Sequence, residues 1–214
     1  MKAVIFFSNN WEWSGGFQQY LMWNALVGEE YKSKKPDWDE LRDIVAKFYS
    51  CEPCKGGYAK QLDLVLSRKN KYSGIRYVDD PTIIAWELAN EPRPMRPFAN
   101  DDYKRWIADV AAAIKERDRN HLVTIGHEGW IGTQDIVLFE AIHADKNIDY
   151  LTIHIWPKNW GWFADQKLAE GFTKAVSETE KYINENAAVA TKLNKPLVIE
   201  EFGLPRDGQS FDTS

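Results

Sequence analysis

Two glutamates stand where an apolar strand gives way to a loop. The first, Glu91, lies in Trp86-Glu87-Leu88-Ala89-Asn90-Glu91-Pro92-Arg93. The run Thr82-Ile83-Ile84-Ala85-Trp86 before it is apolar and β-branched, the pattern of a fully buried strand. Pro92 blocks any simple continuation. The second, Glu201, lies in Leu197-Val198-Ile199-Glu200-Glu201-Phe202-Gly203, again an apolar run that delivers a carboxylate into a glycine-bearing loop. Two carboxylates from two different strands are the minimum kit for hydrolysing a glycosidic bond: one handles the proton, the other attacks carbon or activates water. Buried parallel strands that present such groups at their C-terminal ends are how a (β/α) barrel builds a catalytic site.

The neighbours sharpen this. Asn90 can donate hydrogen bonds to a ligand. In a pocket with tryptophan neighbours Glu91 loses solvation, so its pKa is expected to rise, which suits a general acid. Alternation along a strand sends Glu200 and Glu201 to opposite faces, so only one is expected in the barrel mouth. Glu201, directly before Phe202-Gly203, is the better nucleophile candidate. Glu200 is then expected to partner a cation or a backbone group, and Glu87 to be a paired structural carboxylate. His154 falls at the same strand end as the two glutamates. Trp156, Trp160 and Trp162 follow it in one loop, and Trp11 and Trp13 follow the first strand. Indoles gathered at one rim suit stacking walls for ligands with flat apolar faces, sugars among them.

Composition removes other classes. The chain has 214 residues, ten tryptophans and a net charge of −5, which argues against nucleic acid as a partner. No stretch approaches the roughly 20 apolar residues of a membrane span. Met1 to Phe7 lacks the apolar length and cleavage site of a signal peptide and reads as a strand. His121, His127 and His143 show neither H-x-H nor H-E-x-x-H spacing, so no metal is expected. A G-x-S-x-G elbow for a serine hydrolase is missing as well. Cys51 and Cys54, spaced C-x-x-C, are too few for zinc and read as a local disulfide or two idle thiols.

The elements that must position these groups follow from periodicity. Strands are expected at Lys2 to Ser8, Thr82 to Ala89, His121 to Ile125, Asp149 to Ile155 and Lys195 to Glu201. Helices are expected at Trp38 to Tyr49, Gly57 to Arg68, Asp102 to Arg117, Thr133 to His143 and Ala164 to Leu193, with Phe202 to Ser214 a loop. Strand–helix alternation with apolar strands gives an α/β fold with a parallel, helix-covered sheet in one domain. A complete (β/α)8 barrel runs to about 250 residues. Five strands therefore leave an open doubly wound sheet or a piece of a barrel. No glycine-rich phosphate turn follows the first strand, which favours the barrel piece.

At this point the residues resemble glycoside hydrolase family 5, within the clan of retaining (β/α)8-barrel glycosidases. The stretch from Asp80 to Pro92 looks like that family's acid/base strand, and that from Lys195 to Gly203 like its nucleophile strand. Asn9-Asn10-Trp11 with Gly15-Gly16, Arg93, Gly126-His127-Glu128-Gly129 and the run His154 to Trp160 favour the endo-β-1,4-mannanase branch. The resemblance implies that Glu91 is the acid/base, Glu201 the nucleophile and Asn90 a ligand of the sugar 2-hydroxyl, with His154 near the nucleophile. It also implies that Arg93 contacts sugar on the leaving-group side and Glu128 on the other, with Trp11, Trp13 and Trp160 as walls. Trp156 stands where many members carry a tyrosine that holds the nucleophile; an indole donates one hydrogen bond but is not a hydroxyl.

By the same resemblance the chain, a single catalytic domain over residues 1–214 truncated at both ends, corresponds to strands three to seven of the TIM barrel. The strand-two arginine and strand-eight tryptophan of the family have no counterpart in it. The expected activity is double displacement on β-1,4-mannosidic linkages, with the carboxyls about 5–5.5 Å apart and no cofactor. The expected partner is β-mannan or a related plant polysaccharide. Alternatives are a β-1,4-glucanase of the same family or a non-hydrolysing glycan-binding remnant. A polymeric substrate implies an extracellular or periplasmic full-length protein.

Overall fold

The computed structural model describes residues 2–32, 36–163 and 168–204. Five strands, β1 (Ala3–Phe6), β2 (Ile83–Glu87), β3 (Leu122–Thr124), β4 (Leu151–Ile155) and β5 (Leu197–Phe202), are separated by helices. These are α1 (Gly16–Trp23), α2 (Trp38–Ala46), α3 (Glu52–Leu66), α4 (Asn100–Arg117), α5 (Trp130–Thr133), α6 (Ile136–His143) and α7 (Leu168–Leu193). All strand pairs are parallel, in the orders β1-β2-β3 and β4-β5. The seam between β3 and β4 is closed by the Asp149 amide donating to the Val123 carbonyl (2.8 Å) and by the Thr124 hydroxyl donating to the Tyr150 carbonyl (2.9 Å). The five strands thus form one arc of an α/β architecture.

The core lies between that arc and the helices. From α1 to α4 come Phe17, Phe48, Tyr49, Tyr58, Tyr103 and Trp106, all buried; Phe17 stacks on Phe48 at 4.2 Å and Trp106 meets four of these rings edge-on. A buried phenol needs an acceptor. Here the acceptors are carbonyls of the stretch that carries Glu91: Tyr58 donates to Leu88 (2.6 Å), Tyr103 to Pro92 (2.9 Å) and Tyr49 to Arg93 (2.8 Å). Cys51 and Cys54 form a disulfide at the start of α3.

Several expectations need correction. Helix α1 lay in what read as a connection, although Phe17, Tyr20 and Leu21 give it a buried helical face. The helix expected over 133–143 starts later, at Ile136, because Gln134 turns left-handed (φ 59) and Asp135 caps α6 by accepting from the Val137 amide; the one-turn α5 lies before it. The expected full burial of the strands holds only for β4; Val4, Ile84, Leu122 and Val198 are 40–44% exposed. These four side chains line one cavity on the inner side of the arc. Helix residues expected at 164–167 and the loop expected at 205–214 lie outside the described residues. No described helix is long and apolar enough to cross a membrane.

His127 and His143 lie fully buried with ring centres 6.1 Å apart. Burial pushes His143 down to about 3 and His127 well below its ordinary range. Each is neutral when folded and protonated when unfolded below about pH 6.5. Each therefore removes stability as pH falls from there towards its folded pKa, at up to about 1.4 kcal/mol per pH unit. Between about pH 6.5 and about pH 4 the urea midpoint of His143→Phe should fall less than that of the wild type. Equal falls would refute the assignment.

Candidate active site

After β2 the chain is held on both sides. The Asn90 amide donates to the Ser8 carbonyl (2.8 Å) and the Glu91 amide to Gly126 (2.8 Å). Glu91 takes a positive φ of 50°, which turns its side chain out of the strand direction. Gly126 is required where it stands: at φ 80° an added Cβ would sit 2.2 Å from the Ala89 carbonyl oxygen.

Glu91 is buried, and both its oxygens are engaged. Oε1 accepts from His154 Nδ1 at 2.7 Å and Oε2 from Trp11 Nε1 at 2.5 Å. The same His154 Nδ1 lies 3.3 Å from Glu201 Oε2, which also accepts from Trp156 Nε1 at 3.0 Å. The indole of Trp156 therefore supplies the hydrogen bond to Glu201. One oxygen from each glutamate and a nitrogen of His154 all fall within 4.8 Å of one another. That separation belongs with the short spacing of about 5–5.5 Å used for covalent catalysis, and not with the about 6.5–9.5 Å that leaves room for a water. Nδ1 is within hydrogen-bond distance of Glu91 and pairs with Glu201 at 3.3 Å, so a charged His154 would balance both carboxylates.

Glu200 corrects the expectation from alternation. Register changes within the β4–β5 pair: Ile153 faces Ile199 but His154 faces Glu201, leaving Glu200 as the extra residue of a β-bulge. Both adjacent carboxylates consequently turn to the same ring, with Glu200 Oε2 3.9 Å from His154 Nε2. Glu200 does partner a cation, and it is His154. Glu87, expected to be paired, faces Glu200 across the same cavity.

The charges follow. Burial alone would raise Glu91, but the hydrogen bond and charge of His154, the Trp11 N–H and Arg93 hold it below the usual carboxylate range. The expected rise does not occur, because desolvation is outweighed by donors. Burial works against the His154 charge too, yet Glu200, Glu91 and Glu201 push it up to about 10. Glu87, buried and facing Glu200, is pushed up to about 9.

A second pair lies alongside. Arg93 and Glu128 form a two-point ion pair (2.5 and 2.7 Å), with Glu128 fully buried and pushed up to about 7 by that burial against the pull of Arg93. The guanidinium lies 5.1 Å from the Trp11 ring centre and 5.6 Å from that of Trp38. Trp38 escaped notice as a helix's first residue; only its being a large exposed aromatic next to Asp37 could have flagged it. Trp13, 76% exposed, stacks on Trp11 at 5.7 Å. Asn90 shares its side chain with Asn9 (3.4 Å) and lines one cavity of about 570 Å³ with Glu87, His154, Glu200 and Glu201. Trp160 sits apart from the glutamates, packed on Trp162 and Tyr182 at 4.8 and 5.2 Å.

Parallel strands in an arc, helices outside and two close glutamates at the strand ends define a portion of a (β/α) barrel of the glycosidase kind. The chain belongs to glycoside hydrolase family 5: a family model described as β-mannosidase-like matches residues 1–214. It is 32% identical to mannan endo-1,4-beta-mannosidase 1 of Oryza sativa subsp. japonica, over 95% of this chain and 46% of that protein. With mannan endo-1,4-beta-mannosidase 4 of Solanum lycopersicum it shares 31% identity, over 95% of this chain and 49% of that one. A solved glycoside hydrolase family 5 mannosidase from Rhizomucor miehei superposes with a TM-score of 0.84 at 32% identity, covering 98% of this chain and 49% of that one. The hyperthermostable endo-1,4-beta-D-mannanase of Thermotoga petrophila RKU-1 gives 0.76 at 26% identity, covering 98% and 57%. The chain spans about half the length of the curated relatives it matches, and its arc is part of their barrel.

Removing one partner of the buried ion pair strands the other. Glu128→Ala should cost about 3–5 kcal/mol in urea unfolding. Adding Arg93→Met should restore much of that, whereas a double variant as unstable as the sum of the singles would show the two do not act together.

Proposed function

We propose that this chain carries the catalytic centre of a retaining endo-β-1,4-mannanase. The observation that supports it most is the placing of Glu91 and Glu201 within 4.8 Å of one another across one histidine nitrogen. Glu201, held by Trp156, attacks the anomeric carbon while Glu91 protonates the leaving oxygen; water activated by Glu91 then releases the sugar from Glu201. Asn90, beside the pair, is placed to meet the sugar 2-hydroxyl. Arg93, edged by Trp11 and Trp38 and backed by Glu128, offers a cation and aromatic faces to the leaving-group side. Trp13 and Trp11 extend that wall. β-Mannan as substrate is supported by the relatives, which are named mannan endo-1,4-beta-mannosidases. Such a polymer is met outside the cell or in the periplasm, the compartment this reading assigns to the whole protein.

The test is release of new reducing ends from β-mannan, with cellulose in parallel. Mannan should be cut in preference, Glu201→Ala should abolish release, and Glu91→Ala should lower kcat/KM by about 10²–10⁴-fold. Preference for cellulose would replace the sugar in this reading. Binding of mannan with no new reducing ends would overturn the hydrolase.

A further inference from the structure

Retention requires Glu91 to be an acid in the first step, yet its surroundings keep it ionised. The missing proton has an address on the page. His154 is 2% exposed, and its two ring nitrogens face carboxylates on opposite edges: Nδ1 faces Glu91 and Glu201, Nε2 faces Glu200. Nδ1 is within hydrogen-bond distance of Glu91 and Nε2 lies at ion-pair distance from Glu200, so carboxylates on both edges favour the charged, doubly protonated ring. Glu200 reaches Nε2 only because of the bulge in β5, and it leans on Glu87, a buried carboxyl at the end of β2 that takes no part in the reaction as so far described.

We propose that Glu200, backed by Glu87, is a positioning residue that keeps His154 doubly protonated, and that the Nδ1 proton is the store from which Glu91 is recharged. The second half rests on the reading of Glu91 as acid/base; the first half does not. The proton moves from His154 Nδ1 to Glu91 Oε1, and Glu91 passes that same proton on to the leaving oxygen. The glycosidic bond breaks, the Glu201–carbon bond forms, and His154 is left neutral with Glu91 ionised. In the return step water gives its proton to Glu91 as its oxygen bonds to carbon. The Glu201–carbon bond breaks, and Nδ1 recovers a proton from Glu91. Charge is conserved in both halves.

Every element around the ring bears on its charge. Glu87, Glu91 and Arg93 come from β2 and its loop, His127 and Glu128 from the loop after β3, Tyr150 from just before β4, and Glu200 and Glu201 from β5. The carboxylates outnumber the cations, and the pKa of His154 stands at about 10. Burial and the neighbouring Glu200 push Glu87 up to about 9, so Glu87 is the neutral acid of the two at neutral pH.

The chain has only four histidines, so ring nitrogen NMR of the full chain can follow each, with His154→Asn identifying the signal. We expect His154 to be doubly protonated at neutral pH. Glu200→Gln should lower its titration by at least one pH unit, Glu200→Asp should keep most of the wild-type value, and Glu87→Gln, which mimics a neutral acid, should leave it in place. A neutral His154 in the wild type, or an unmoved titration in a folded Glu200→Gln, would overturn the proposal; equal shifts in Glu200→Gln and Glu87→Gln would overturn the division of roles. On β-mannan, the alkaline limb of kcat/KM should move with the His154 titration in Glu200→Gln. Turnover whose limb ignores that shift sinks the proton store alone. Absence of wild-type turnover sinks the hydrolase reading and leaves the NMR result to decide the charge on His154.

Discussion

Two ionised carboxylates brought within a few ångströms of one another inside a protein need something positive between them. Within 4.8 Å and at an effective dielectric of about 20, two full negative charges repel by at least about 3 kcal/mol. His154 supplies the countercharge, and much of the local architecture can be understood as serving it. Strand β4 carries it and is the one strand buried along its whole length. The left-handed turn at Glu91, made possible by the bare backbone of Gly126, aims one carboxylate at Nδ1. The bulge in β5 brings two more to the ring.

Trp11 joins this cluster to the neighbouring ion pair. Its indole N–H ends on Glu91 while its face lies against the Arg93 guanidinium. One side chain therefore fixes the orientation of Glu91 and of the cation beside it. Its own exposed neighbour, Trp13, carries the aromatic surface outward. Direct electrostatics and stacking surface are thus built from the same few residues.

Much of this was readable in the sequence, and what escaped has physical causes. Strand positions came through because apolar, β-branched runs ending in polar residues are distinctive, and β2 and β5 were found to within a few residues of their ends. Glu91 and Glu201 came with them. Alternation failed at Glu200 because a bulge depends on pairing with another strand, which no local pattern records. The direction of the Glu91 pKa shift failed for a similar reason: desolvation can be read from apolar neighbours in sequence, but a donor 63 positions away cannot. Trp38 and Glu128 show the same limit, since their meaning comes from Arg93 lying against both.

The tyrosine hydroxyls that reach out of the helix layer have a consequence for how this molecule tolerates change. Tyr58, Tyr103 and Tyr49 hold the carbonyls of residues 88, 92 and 93, on either side of Glu91. The helix core and the reactive loop thus share their anchoring points. Drift in the packing of α3 and α4 is transmitted directly to Glu91. Substitutions deep in that layer would be filtered by selection for turnover before they were filtered by selection for folding, and a library screened for activity would conserve these phenols as though they touched substrate.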